Sequence, residues 1–464
     1  MFSNIDLLSL NENKIKEVLK RGFLTVAVFG LGHVGLPLAC AWLRAGANVI
    51  GVAKTNRKVD IINRGENPLK DESSLTPIIK KYVAEGKFRA TTNGVEATRK
   101  AHVILIAVPT YVNWNKTGKP IDLSILISVL RVVAQGLSKG KLVIIESTVP
   151  PGTTVNLAKP LLEEISSLKA EQDFGLAYSP ERIMAGHALQ DIEENYPKII
   201  GAIGPRSLKA AKALYEVIAK KGVITLSSAT TAEFEKVAEG IYRDVNIALA
   251  NELAKLAKLL NVDFEEVRKA ANSQPFCHLH KPGIGVGGPC IPIYPYFAIH
   301  VAFRYNLELL LTRTARLINE TMPEYVANLA IKALEEAKIR VEKAKIGILG
   351  LAFRGNIGDT RLTPVIDLVH YLESHGVKNI IIHDPYAQDN PTNCPLTRNL
   401  EDVVLNSDLV IIATDHAIYA KILPEILPST SKKLIVIDGR NILHGKKLGK
   451  NITYISIGGP QTIE

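Results

Sequence analysis

The chain has 464 residues but only four cysteines, Cys40, Cys277, Cys290 and Cys394. No two form a CxxC pair and none has a metal-ligand spacing, so neither a disulfide scaffold nor a metal site is expected. So few thiols in so long a chain suit a reducing, cytoplasmic setting. A block of Lys or Arg is also missing. The net charge of +10 is spread along the sequence, which speaks against nucleic acid as a partner and favours small anions as ligands. The segment Met1 to Arg21 mixes acidic and basic residues and lacks the apolar core of a signal peptide, so none is expected. Only Leu24 to Leu43 is apolar enough to imitate a membrane span. It contains three glycines, His33 and Pro37, and these fit a different structure better, so no membrane partner is expected. With 47% hydrophobic and 22% charged residues, the chain reads as a soluble globular protein of two or three domains.

What the sequence does have is one stretch dense in residues that shape backbone. Lys281 to Phe297 holds Gly283, Gly285, Gly287 and Gly288, with Pro282, Pro289, Pro292 and Pro295, around the single thiol of Cys290. Such a run excludes helix interior and central strand. Glycine lets backbone approach a ligand closely, and proline holds the loop rigid. Two readings follow: a nucleophile aimed at a bound substrate, or a tight turn around a small, inert, buried residue.

Upstream, Asn11 to Lys20 predicts a short amphipathic helix. The apolar run Thr25 to Phe29 leads into Gly30-Leu31-Gly32-His33-Val34-Gly35, a helix-like segment from Leu36 to Ala45, and a second strand from Ala47 to Val52. Strand, GxGxxG, helix and strand in that order predict a dinucleotide-binding βαβ unit with the pyrophosphate at the helix N-terminus. At the end of the second strand an NAD enzyme carries an acid for the ribose hydroxyls. This chain has Ala53, with Lys54 and Arg57 close by. That is either a solvated helix start or a pocket accepting a 2′-phosphate.

Further buried strands are expected from Val103 to Thr110 and from Leu142 towards Thr148. Thr231 to Leu260 predicts a long helix, its apolar residues recurring at threes and fours. After a helix from Pro323 to Ala337, the first pattern returns. A strand Lys345 to Leu349, a loop Gly350 to Asn356, a helix Pro364 to Ser374 and a strand Asn379 to Pro385 form an internal repeat, with Asp384 where the first domain lacks its acid. Two more strands end in polar residues, Asp408 to His416 and Leu434 to Asn441. The expected fold is α/β, two Rossmann-like doubly wound domains joined by a long central helix.

These motifs, in this order, carry a resemblance. Gly285-Val286-Gly287-Gly288-x-Cys290-Ile291-Pro292 resembles the cysteine loop of the UDP-glucose/GDP-mannose dehydrogenase family, and within it the branch that oxidises UDP-N-acetylhexosamines. Pro109-Thr110 with Gly118-Lys119-Pro120-x-Asp122-Leu123-Ser124 resembles its VPTP…G.PDLS segment. Glu146 to Thr154 matches ESTVPPGTT, Ser179-Pro180-Glu181-Arg182 matches SPER, and Pro197 to Gly201 matches PKIIG. On the long helix the similarity covers Ala232-Glu233-x-x-Lys236-x-x-Glu239 and Tyr242-Arg243-Asp244-Val245-Asn246-Ile247-Ala248-x-Ala250-Asn251-Glu252. In the last third it covers Gly350 to Arg354, Asp359-x-Arg361, Ala413 to His416 and Asp438-x-Arg440-Asn441. The resemblance spans Val26 to Asn441.

It implies an NAD-dependent enzyme, with NADP possible, that oxidises a primary alcohol to a carboxylate in two hydride transfers. Cys290 would hold the aldehyde as a thiohemiacetal and then a thioester. Lys236 would stabilise the alkoxide, Glu181 would work with water or as a base, and Thr148 would position that water. The implied cofactor residues are Gly30, Gly32, His33, Val34, Gly35, Pro109, Thr110 and Thr148; Lys54 and Arg57 join them as candidates from the residues themselves, where the acid of the family pattern is missing at Ala53. The implied substrate residues are Arg182, Arg243, Asn246, Gly287, Gly288, Phe353, Arg354 and Arg361. The pattern also implies residues 1–228 as the NAD(P)-binding domain, 229–335 as a central helical and dimerisation region with the cysteine loop, and 336–464 as the UDP-binding domain. A homodimer through the central helix is expected.

Departures from the pattern fall on chemistry. Its asparagine one turn after the lysine is Gly240 here, its aspartate four residues after the cysteine is Tyr294, and its histidine before the cysteine is Pro289. Tyrosine, with a pKa of about 10, is a poor general base at neutral pH. The readings are therefore a UDP-N-acetylhexosamine 6-dehydrogenase, or a non-catalytic or rewired nucleotide-sugar-binding paralogue.

Overall fold

The computed structural model describes residues 5–113, 120–184, 186–460 and 462–463; Gly118 and Lys119 of the PDLS-like segment lie outside them. The apolar runs Thr25–Phe29, Val103–Ile106 and Leu142–Ile145 are buried along nearly their whole length, as strands covered on both faces must be. The contacts divide the chain into two compact units, Met1–Glu239 with Tyr296–Asn306, and Gly240–Pro295 with Leu307–Glu464.

The first unit is built on an eight-stranded sheet. From one edge the strands are Val223–Thr225, Lys198–Ala202, Gly175–Tyr178, Leu142–Ile145, Val103–Ile106, Thr25–Phe29, Asn48–Val52 and Phe88–Thr91. All neighbours run parallel except Gly175–Tyr178 against Lys198–Ala202. Thr25–Phe29 has its sequence successor on one side and Val103–Ile106 on the other, so the order reverses there. Ligands of open α/β sheets bind at the strand C-termini beside such a reversal. The apolar run from Leu24 to Leu43 is thus a strand, the glycine turn and the helix Gly35–Arg44. Among the described residues, no helix is long and apolar enough to cross a membrane.

The second unit repeats the plan with seven strands, in the order Leu396–Thr397, Asn379–His383, Lys345–Leu349, Leu409–Ile412, Leu434–Asp438, Ile452–Ser456 and Thr462–Ile463. Only the last pair is antiparallel. Lys345–Leu349 lies at the reversal, as the internal repeat requires. The turn after it needs Gly350, at φ +100°, where a β-carbon would meet the Thr414 side chain at 2.3 Å.

Several boundaries differ from the sequence expectation. The strand from Val103 stops at Ile106 because Ser147 draws the chain out of the sheet. Its hydroxyl accepts from the Val108 N–H at 2.9 Å and bonds the Val108 carbonyl at 2.6 Å. The long helix runs Ala229–Leu259. The glycine- and proline-rich stretch is not loop throughout: a helix Tyr294–Phe303 begins inside it. Pro295 falls in the first turn, where a missing N–H costs nothing.

Glu233, near the start of the long helix, is fully buried. It accepts from the Gly152 N–H at 2.6 Å, and from the Thr154 N–H and hydroxyl at 2.7 and 2.6 Å. It thereby fixes the Pro150-Pro151-Gly152-Thr153-Thr154 turn. Burial pushes its carboxyl up to about 7, against the pull of those donors. Glu233→Gln should therefore lower stability by about 1–3 kcal/mol, because an amide nitrogen facing an N–H leaves a buried donor unmet. Urea unfolding would measure it.

Candidate functional site

The residues expected at the dinucleotide site of the first unit gather at the C-terminal ends of adjoining strands. A β-carbon on Gly30 would lie 2.3 Å from the Ala107 carbonyl oxygen, and one on Gly35 would lie 1.7 Å from the Gly30 carbonyl oxygen. Both glycines are demanded by close backbone packing. Gly32 differs: nothing lies within 4 Å of its added β-carbon, so its bare face is open. A glycine cradle with two positions closed by protein and one left open fits a pyrophosphate approaching backbone N–H groups. Val34 caps the helix Gly35–Arg44 without a side-chain bond; in its first turn the Leu36 N–H donates to the Gly32 carbonyl at 3.0 Å and Pro37 has no N–H to satisfy. His33 Nε2 lies 3.1 Å from Asp71.

Pro109 and Thr110 follow the next strand, and the Thr110 hydroxyl donates to the Thr148 carbonyl at 2.7 Å, tying two expected cofactor loops together. After Asn48–Val52, Ala53 is buried while Lys54 and Arg57 are exposed. Lys58, which sequence reasoning missed, reaches back to the Leu31 carbonyl at 3.4 Å.

Glu181 and Arg182 follow the strand Gly175–Tyr178. Glu181 is ion-paired with buried Lys198, which also holds Glu146 at 2.9 Å. Glu146 in turn accepts from the Tyr215 hydroxyl. Burial pushes Glu146 up to about 7, with Lys198 pulling it down and Glu181 pushing it further up. Burial opposes the charge of Lys198, but the two carboxylates hold it above its ordinary value. Lys198 was legible only as part of the PKIIG run, and Glu146 only as the start of ESTVPPG. The Arg182 guanidinium lies over the Tyr196 ring at 5.7 Å and donates to the Pro197 carbonyl at 2.5 Å. Lys236 is buried and lies 3.7 Å from Glu239.

In the second unit the cysteine loop is anchored at its start and backed along its length. The Gly283 N–H donates to Asn251 Oδ1 at 2.9 Å, and Asn251 Nδ2 donates to Asn319 Oδ1 at 2.9 Å. Asn319 then donates to Asp244 Oδ1 at 2.8 Å, where Arg316 also lands at 2.7 Å. Asn251 and Asp244 belong to the helix run singled out in the sequence; Asn319 and Arg316 carried no sequence signal. Further on, the Gly288 N–H donates to the Arg361 carbonyl at 3.0 Å. A β-carbon on Gly287 would meet Phe353 Cβ, and one on Gly288 its ring, each at 2.7 Å. Gly287, Gly288, Phe353 and Arg361 are thus brought together, with half-buried Arg354 next in the chain. The Arg361 guanidinium forks onto Asp359, at 2.9 and 2.5 Å.

Cys290 is exposed at the end of this loop, while Cys40 and Cys394 are buried. The small-buried-residue reading does not hold for it. Arg243 is exposed and Asn246 half-buried, its amide donating to the Tyr242 carbonyl at 2.7 Å. His280, another residue the sequence did not flag, is pushed down by burial, then by His278 and Arg243.

Asp384 has a different occupation from a ribose acid. Fully buried, it accepts from the N–H groups of Leu351 and Ala352 at 2.7 and 2.9 Å, and from those of Tyr386 and Ala387 at 2.8 Å each. Burial alone would raise it, but His416 at 3.1 Å and these donors hold it well below the usual carboxylate range. It clamps the strand-end loop. Asp438 serves likewise, accepting from the N–H groups of Arg440 and Leu443.

With this geometry in hand, comparison with known proteins is decisive. Residues 24–219 match the NAD binding domain of the UDP-glucose/GDP-mannose dehydrogenase family, residues 230–321 its central domain and residues 347–445 its UDP binding domain. The chain belongs to the UDP-glucose/GDP-mannose dehydrogenase family. UDP-N-acetyl-D-mannosamine dehydrogenase of Pyrococcus horikoshii is 38% identical over 426 residues, 92% of this chain and 97% of that one. NDP-N-acetyl-D-galactosaminuronic acid dehydrogenase of Ralstonia solanacearum is 33% identical over 434 residues, covering 92% and 98%. Among solved structures, the Pyrococcus horikoshii UDP-D-ManNAc dehydrogenase superposes with a TM-score of 0.86 over 94% of this chain and 99% of that one, at 38% identity. In this family setting the first unit carries the NAD binding domain and the open Gly32 face belongs to it.

Gly32→Ala and Gly35→Ala should separate cofactor binding from folding. Gly35→Ala should lower the melting temperature, since its methyl has no room. Gly32→Ala should leave melting unchanged and weaken dinucleotide binding. Thermal melts beside NADH fluorescence titration would show the split.

Proposed function

We propose that the protein is an NAD-dependent UDP-N-acetylhexosamine 6-dehydrogenase, converting UDP-N-acetylmannosamine to UDP-N-acetylmannosaminuronate. The observation that carries the reading is an exposed thiol, Cys290, on a loop backed by Phe353 and Arg361, in a chain similar over nine-tenths of its length to enzymes named for that substrate class. Two NAD molecules, bound in succession, would each accept one hydride. Cys290 adds to the aldehyde and retains it as a thiohemiacetal, then as a thioester that water cleaves. Lys236 is assigned to the developing alkoxide, and Glu181, held by Lys198, to the attacking water with Thr148. Arg182, Arg243, Asn246, Gly287, Gly288, Phe353, Arg354 and Arg361 are assigned to the nucleotide sugar. Gly30 to Gly35, Pro109, Thr110 and Thr148 are assigned to the cofactor. The assigned domains are 1–228, 229–335 and 336–464.

A homodimer through the long helix belongs to the same reading. Tyr242, Leu249 and Leu256 recur at sevens on that helix and are 56%, 40% and 50% exposed, an apolar stripe that pairing would cover. We assign the protein to the cytoplasm and to polysaccharide precursor synthesis.

Assay of NADH formation across UDP- and GDP-sugars tests the substrate. Turnover should favour UDP-N-acetylmannosamine or UDP-N-acetylglucosamine, and Cys290→Ser should form no thioester adduct by mass spectrometry of quenched enzyme. A higher kcat/KM for UDP-glucose would rule out this substrate class.

Cofactor choice follows from Ala53. Without a ribose acid and with Lys54, Arg57 and Lys58 near the strand end, NADP should bind as well as NAD or better. Competitive titrations preferring NAD by tenfold or more, about 1.4 kcal/mol, would overturn it.

A further inference from the structure

The helix Ala229–Leu259 contains one glycine, Gly240, the least favourable residue after proline for a helix interior. Its missing side chain has a use. A β-carbon built on Gly240 would lie 2.6 Å from Tyr294 Cδ2, 3.0 Å from its Cβ and 3.2 Å from its Cγ. The Tyr294 side chain therefore packs on bare helix backbone, and Tyr294 is buried, 8% exposed. A side chain at 240 and this ring placement exclude each other.

Tyr294 is also bound to the reactive end of the loop. Its N–H donates to the Cys290 carbonyl at 3.1 Å, and the Ile293 N–H donates to the same oxygen at 3.0 Å. Cys290 thus closes the turn that opens the helix Tyr294–Phe303. One step back, Gly288 is fixed through its N–H to Arg361. Between that anchor and the helix, Cys290 is joined through its own carbonyl to Tyr294, which packs on Gly240.

We infer that Gly240 and Tyr294 form one seat, and that Tyr294 is a positioning residue for the Cys290 thiol. This rests on the reading of Cys290 as the reacting group. The two departures from the family pattern at 240 and 294 are then a single packing event: an aromatic ring at one position requires glycine at the other. Restoring a side chain at 240 alone is barred, and only a paired change can succeed.

A double-mutant cycle on the full chain tests it. Gly240→Ala should lower the melting temperature with Tyr294 present. In a Tyr294→Ala background it should raise it, because alanine is the better helix former once the ring is gone. The rate of Cys290 alkylation by iodoacetamide, read site by site by mass spectrometry on folded protein, should shift at least threefold in Gly240→Ala. Tyr294→Phe, which keeps the ring, should stay within threefold of the parent. On the favoured sugar, Gly240→Ala should lower kcat at least tenfold with KM changed less than threefold. If Gly240→Ala does not fold, Tyr294→Leu carries the test through the same alkylation shift. Unchanged alkylation and kcat in a folded variant would reduce the seat to plain packing and overturn the inference, as would additive effects on melting. Alkylation needs no turnover. A chain that oxidises no sugar yet shows the alkylation cycle would sink the dehydrogenase reading and leave the seat standing.

Discussion

The side-chain amide of Asn251 ties the start of the cysteine loop to the long helix. Asn251 uses its oxygen to take the Gly283 N–H and its nitrogen to meet Asn319, and Asn319 passes the connection to Asp244 and Arg316. All four of these side chains are buried. Asp244 Oδ2 and Arg316 Nε are already buried without a hydrogen-bond partner, so losing any of these contacts would add to that cost, and the loop inherits the definiteness of the bonds that are made. Glycine and proline give the loop its shape; the amide gives it an address on the second unit.

The same constraint governs the strand ends. In the first unit, protein closes the space beside Gly30 and Gly35 and leaves that beside Gly32 open. In the second, Asp384 turns inward and gathers four backbone N–H groups. Two copies of one architecture thus treat the strand-end acid differently. One lacks the residue and keeps an open face towards a ligand, while the other uses it as an internal clamp.

Much of this was legible in the sequence because local pattern and tertiary role coincide. Apolar runs such as Thr25–Phe29 and Lys345–Leu349 can only be buried strands, and the glycines after them fix the turns. The long helix could be read from spacing to within two residues at its N-terminal end and one at its C-terminal end. The strand from Val103 was overdrawn because its end depends on the hydroxyl of Ser147, about forty positions away in sequence, which periodicity does not register. The helix at Tyr294 was hidden by Pro295, since composition does not separate a first turn from a loop. In the site, Gly287, Gly288, Phe353 and Arg361 gathered as their motifs suggested. Lys198, Asn319 and Arg316 did not announce themselves, because a buried polar partner is defined by what it faces.

The placement of the thiols has a consequence for oxidative damage. Cys40, in the core of the first unit, is pushed up to about 12 by burial, and Cys394 is also raised by burial. Neither offers a thiolate to an oxidant. Cys290 stands exposed on the surface of its loop. Peroxide would reach the residue assigned to chemistry while the core thiols stayed reduced, so the protein would fall silent with its framework intact, and a reductant could revive it.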